Sequence, residues 1–165
     1  MLLNDARRDA RFADGTVVLL RDQDRSLWDA DQIAEGREAL DRALALGGRG
    51  PYALQAAIAA LHVDEPQDWP QIAALYRELA GLTGSPVVEL NRAVAIAQAG
   101  DVEAALALME RLELDRYHYL HATRAELLGR LGRTEDARVE YERALELVHS
   151  DAERRLLERR LDELA

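Results

Sequence analysis

The residues best able to move protons or hold a metal in this 165-residue chain are four histidines, His62, His118, His121 and His149. Only His118 and His121 stand close together, and an i,i+3 pair shares one helix face, as two zinc ligands would. Their setting, YHYLH, opens an apolar-periodic stretch. Asp115 reads as a helix cap and Glu126 lies more than one turn further on, so no third ligand is at hand and packing is the expected role. Asp22, Asp24, Asp29 and Asp31 form an acidic cluster interleaved with Arg21 and Arg25, but it lacks the glycine and closing glutamate of a calcium loop. Gly47, Gly48 and Gly50 lack the lysine and hydroxyl residue of a phosphate-binding loop and read as turn residues. The chain has no cysteine, which excludes thiolate chemistry, disulfides and cysteine-ligated metals. With no serine nucleophile elbow and no assignable carboxylate pair, neither catalysis nor a cofactor nor a metal is expected.

The elements that would position these residues are helical. Alanine (29) and leucine (28) dominate, whereas isoleucine and valine together number 13, which favours helix over sheet. Residues 1 to 11 read as the end of a helix with Leu2, Leu3, Ala6 and Ala10 on one stripe. GTVVLLRDQDRS, from Gly15 to Ser26, is the one strand-like run and reads as an extended linker whose Val17 to Leu20 must lie across the helices or pair elsewhere. From Leu27 onward the period becomes helical: a first helix ending at Gly47 and Gly48, then Pro51 to Val63, a helix capped by Asp68, another started by Ser85 and Pro86, Val102 to Leu112, Arg116 to Leu131, Thr134 to Val148, and Asp151 to Leu164 behind Ser150.

AVAIAQAGDVEAALALMERL from Ala93 and AELLGRLGRTEDARVEYERAL from Ala125 match at an offset of 32 residues, aligning Ala93, Gly100, Ala105 and Met109 with Ala125, Gly132, Ala137 and Tyr141. A glycine turn between small-residue helices, with one large residue filling the joint, is the pattern of stacked helical hairpins. The last copy, with Ala125, Gly132, Ala137, Tyr141 and Ala144, resembles the tetratricopeptide repeat. Weaker copies place Gly36, Leu40 and Ala43, then Ile72, Tyr76 and Leu79, at equivalent positions. The expected fold is all-α: antiparallel helix pairs forming a tetratricopeptide-like right-handed solenoid, with a short extended N-terminal segment. Residues 1–26 are read as the end of an upstream region and a linker, and residues 27–165 as the repeat domain with its C-terminal capping helix.

LLNDARRDARF with GTVVLLRDQDRSLWD, then IAEGREALDRAL, GPYALQAAIAALH, VVELNRAVAIAQAG, YHYLHATRAELLGRLGR and DARVEYERALEL run through nearly the whole chain. In that order they resemble the C-terminal extension of bacterial extracytoplasmic-function RNA polymerase sigma factors that carry a tetratricopeptide-like domain. The resemblance implies a non-catalytic regulatory or scaffolding domain contacting RNA polymerase or the upstream sigma-factor domains, with promoter recognition residing in those domains. An independent peptide- or protein-binding adaptor is the other reading.

The charge balance is compatible with both. Twenty-one arginines face 31 acidic residues, for a net charge of −10, and no block is basic. Affinity for nucleic acid draws on counterion release by a basic face, so direct DNA binding by this chain is not expected. No 18-residue uncharged apolar run and no secretory signal are present, so no membrane association and a cytoplasmic location are expected. In a repeat array the first helix of each pair lines the inner surface. Candidate protein-binding residues there are Asn91, Arg92 and Gln98, followed by Tyr119, Glu126 and Arg130. A peptide or protein seated on a concave surface is the ligand they would meet.

Overall fold

The structure, a computed structural model, describes residues 2–13 and 15–164. Met1, Asp14 and Ala165, and with them the outer limits of the 1–26 and 27–165 divisions, lie outside it. The described residues form an all-α fold in which, within each of two units, helices adjacent in sequence pack on one another. The helices are α1 (Leu2–Asp5), α2 (Ala30–Ala45), α3 (Pro51–Val63), α4 (Trp69–Thr83), α5 (Pro86–Gln98), α6 (Val102–Met109), α7 (His118–Arg130), α8 (Thr134–Leu147) and α9 (Asp151–Asp162). Two strands of two residues each, β1 (Phe12–Ala13) and β2 (Thr16–Val17), lie near the N-terminus. Two units emerge: residues 1–14 with 18–84, and residues 15–17 with 85–165.

In the first unit, α1 packs on α2 and α3, and α3 packs on α4. Leu3, Ala59 and Val63 form its inner cluster, joined by Trp28, Ile33 and Ala60. Gly36 lies directly beneath Leu3; a Cβ there would stand 2.8 Å from Leu3 Cγ, which explains a glycine inside a 16-residue helix where alanine would be the better helix former. The extended linker expected from Gly15 to Ser26 is extended only in part. Leu20–Asp22 and Arg25–Leu27 are 3-10 turns, the second closed by the Asp24 side chain accepting from the Ser26 N–H at 2.9 Å. Short polar side chains there bond their own backbone, a local option that competes with an extended chain. Arg25 then donates to the Val63 carbonyl at 3.3 Å, one of the orphan carbonyls at the end of α3. The Arg25 and Arg7 guanidiniums stand 4.6 and 5.8 Å over the Trp28 ring, within cation–π range.

The second unit contains two helical hairpins, α5–α6 and α7–α8, followed by α9 on α8. Ala93, Ala105, Ala125 and Ala137 are fully buried and Met109 and Tyr141 nearly so, which places three of the four aligned pairs of the 32-residue offset in the interior, the glycine pair lying at the exposed turns. The turns match as well. Gly100 and Gly132 have φ of 109° and 72°, and the following N–H groups of Asp101 and Arg133 reach back to Ile96 and Leu128 at 3.2 and 3.0 Å. This left-handed glycine cap satisfies the last carbonyls of α5 and α7 and reverses the chain within three residues. Helices α4, α5, α6 and α9 start at side-chain caps, Asp68, Ser85, Asp101 and Ser150 each accepting a backbone N–H from the first turn, whereas α7 starts behind Tyr117 and takes no side-chain cap from Asp115. Helix α6 ends at Met109 rather than Leu112, although Leu112 still packs against the core around Leu90, Met109 and Leu120.

Candidate interaction surface of the second unit

The six candidate residues fall on α5 and α7. At 100° per residue, Asn91 and Gln98 share one stripe of α5, while Arg92 is turned about 100° from Asn91. Tyr119, Glu126 and Arg130 lie within about 40° of one another on α7, so the sequence spacing does gather them on one stripe. Along the axis, Tyr119 and Arg130 are about 16 Å apart, at opposite ends of the helix.

Each position has its own local chemistry. Asn91 is exposed and Gln98 half-buried. Arg92 is half-buried and paired with Glu89, its Nη1 3.1 Å from Glu89 Oε2, one turn back on the same helix. Arg130 Nη2 donates to the Ala97 carbonyl at 3.0 Å, so α7 supplies a charged donor to the C-terminus of α5. Glu126 is half-buried and engaged within the molecule.

Tyr119 is the most developed of the six. It remains 44% exposed while its hydroxyl donates to Glu153 Oε1 on α9. The other carboxylate oxygen of Glu153 lies 3.4 Å from His118 Nε2, without hydrogen-bond alignment. The rings of His118 and Tyr117 stand 4.0 and 5.3 Å from that of Tyr119. Burial, reinforced by the bond to Glu153 and its charge, raises the Tyr119 pKa. Tyr117 shifts in the same direction for the same two reasons of burial and the Glu153 charge. Burial lowers the His118 pKa, opposed by Glu153 and aided by His149. Phenols held protonated and an imidazole pushed toward its neutral form make hydrogen bonds and stacking contacts, here within the molecule.

The second histidine of the YHYLH run turns elsewhere. His121 is buried, with Nδ1 2.7 Å from Glu140 Oε2 and Nε2 2.9 Å from the Asp115 carbonyl. Arg124 Nη2 pairs with the same Glu140 at 3.2 Å. The two histidines therefore meet different carboxylates, and among the described residues no group of three or more His, Asp or Glu is placed to hold a metal. Glu153 and Glu140 have no local signal in the sequence, because each lies 16 or more residues from the side chains it meets. Beside Glu140, a recess of about 200 Å³ between α6, α7 and α8 is bordered by Arg133, Asp136 and the exposed Val139.

The first unit has a surface of a different kind. An open groove of about 410 Å³ runs between α2 and α3, floored by Leu3, Gly36 and Ala39 and walled by Ala53 and Ala56. Tyr52 stands at its edge, 87% exposed.

Residues 1–44 match a family model described as "Family of unknown function (DUF6596)". An uncharacterized protein of Rhizobium meliloti (strain 1021) is similar along the whole chain, 45% identical over 172 aligned residues that cover 100% of this chain and 41% of the relative. The chain thus spans about two fifths of the length of that curated relative. No solved structure matches. No helix among the described residues is long and apolar enough to cross a membrane.

Proposed function

We propose that this chain is a non-catalytic regulatory or scaffolding domain of an extracytoplasmic-function RNA polymerase sigma factor, with its hairpins forming a tetratricopeptide-like right-handed solenoid in the cytoplasm. Its partners are RNA polymerase or the upstream sigma-factor domains, and DNA is bound elsewhere. The observation that carries the reading is the pair of hairpins whose aligned alanines are buried and whose glycine turns share one geometry, found in a chain that aligns with part of a longer relative. The packing of β2 against α9 adds support, since it ties the strand-like run to the helices as a specialised extension would require. The net charge of −10 suits a domain that works beside nucleic acid without gripping it.

In the Rhizobium meliloti relative, deleting the segment that aligns with this chain should change polymerase-dependent transcription several-fold, with the size of the effect varying between low and high salt. Equal transcription by the intact and shortened proteins at every salt concentration overturns the regulatory role. Failure of the intact protein to direct transcription with core polymerase overturns the sigma-factor reading itself.

The groove beside Tyr52 favours a second reading, an adaptor that seats an apolar peptide segment. Retention of peptides by the chain, with loss on Tyr52→Ala and on Ala56→Leu, would establish it; equal retention by both variants would refute it.

A further inference from the structure

Residues Gly15–Val17 belong to the second unit, although the residues on either side belong to the first. What holds them is α9. Strand β2 packs on this helix, and Arg155 Nη2 donates to the Gly15 carbonyl at 2.6 Å, across 140 residues of sequence. Gly15 has φ 71°, and a Cβ there would meet Arg155 Nη2 at 3.3 Å, so the backbone is presented to the guanidinium in a conformation and at a distance that suit glycine.

Three consecutive residues of α9 each hold a different partner. Glu153 receives the Tyr119 hydroxyl and faces His118, fixing the first turn of α9 against α7. Arg154 donates to the Val148 carbonyl at 3.1 Å, bracing the turn that precedes the helix. Arg155 reaches Gly15. Successive side chains on a helix point about 100° apart, which is what allows one turn to face three ways.

We propose that α9 is a releasable clasp for the Gly15–Val17 segment, closed by Arg155 and kept closed by the junction of Glu153 with Tyr119 and His118. The state of the C-terminal helix is thereby read out near the N-terminus of the chain. A group that takes the Glu153 carboxylate away from α7 loosens the first turn of α9 and frees the segment, and freeing the segment weakens the Glu153 junction in return. The clasp is a property of this chain and stands independently of the sigma-factor reading.

The absence of cysteine supplies a direct assay. Val17→Cys places one thiol in the segment, and Val102→Cys places one on α6 as a reference for general loosening. Adding Arg155→Ala to Val17→Cys should speed thiol labelling about three- to tenfold, the factor expected for loss of one solvent-exposed hydrogen bond. Tyr119→Phe, which does not touch the segment, should also speed labelling at residue 17, by about two- to fivefold, a smaller effect because one arm of the Glu153 junction remains. Labelling at residue 102 should stay unchanged in both backgrounds. Unchanged labelling at residue 17 in Arg155→Ala, or in Tyr119→Phe, overturns the clasp, as does a parallel rise at residue 102.

Discussion

Acidification should weaken the first unit through His62, and replacing that residue by phenylalanine should remove the effect. His62 lies in α3 with its ring edge-to-face against Trp69, the centroids 5.6 Å apart and the planes at 66°. Its Nδ1 is buried without a hydrogen-bond partner. Burial, with the Arg7 cation adding to it, pushes its pKa down from 6.5 to about 4. The unfolded chain therefore takes up the proton first: the contribution linked to His62 is fully present above pH 6.5, declines as pH falls from 6.5 toward 4, and is gone below that. From those two pKa values the loss between pH 8 and pH 5 is roughly 2 kcal/mol. His62→Phe keeps the ring contact with Trp69, removes the unsatisfied nitrogen and has nothing to titrate, so its stability at pH 8 should lie within about 1 kcal/mol of the parent. The assay is urea unfolding followed by tryptophan fluorescence at several pH values from 5 to 8. Both tryptophans, Trp28 and Trp69, are in the first unit, so the signal reports on the unit that contains His62. His118 shifts in the same direction but lies in the second unit, which has no tryptophan. Parallel pH–stability curves for the two proteins would refute the reasoning.

Two further outcomes follow from the second unit. Ala137 is fully buried at a hairpin joint, so Ala137→Leu should destabilise by about 1–3 kcal/mol in urea unfolding followed by circular dichroism, whereas Val139→Leu, two residues on and 63% exposed, should be close to neutral. A side chain at Gly132, where φ is 72°, meets backbone strain without any outside contact. Gly132→Ala should therefore cost about 1–2 kcal/mol by the same measurement, while Gly50→Ala, at φ −81° in open space, should cost less.

Much of the helical layout was legible because its signals are local. Asp68, Ser85 and Ser150 announced three helix starts through a side-chain oxygen and an N–H three residues later, and Gly100 and Gly132 announced two stops through the one backbone conformation that glycine tolerates best. The 32-residue offset also predicted which alanines would be interior, since a small residue repeated at a fixed register has a packing reason. The strand-like run is extended only in part: its hydrophobicity is plain in the sequence, but the Asp24 side chain's bond to the Ser26 N–H turns the chain. The candidate surface was the least legible part. Arg130 and Tyr119 read as protein-binding candidates on an inner stripe, yet Arg130 donates to a helix end 33 residues earlier and the Tyr119 hydroxyl is committed to Glu153, 34 residues later. Partners at such separations are chosen by how helices stack, and a single sequence carries no local mark of that choice.

The matched glycine turns of α5 and α7 have a consequence for how such a chain can be altered. Each hairpin closes the carbonyls at its turn with its own backbone N–H groups, Arg130 adding a further donor from α7 to α5, so the natural unit of insertion or deletion is the whole hairpin. Removing or duplicating one 32-residue block, cut at equivalent points in the two copies, leaves every turn chemically complete, whereas a cut a few residues away strands a helix end without its cap. Length variation among relatives of this chain is therefore expected to come in steps of one hairpin.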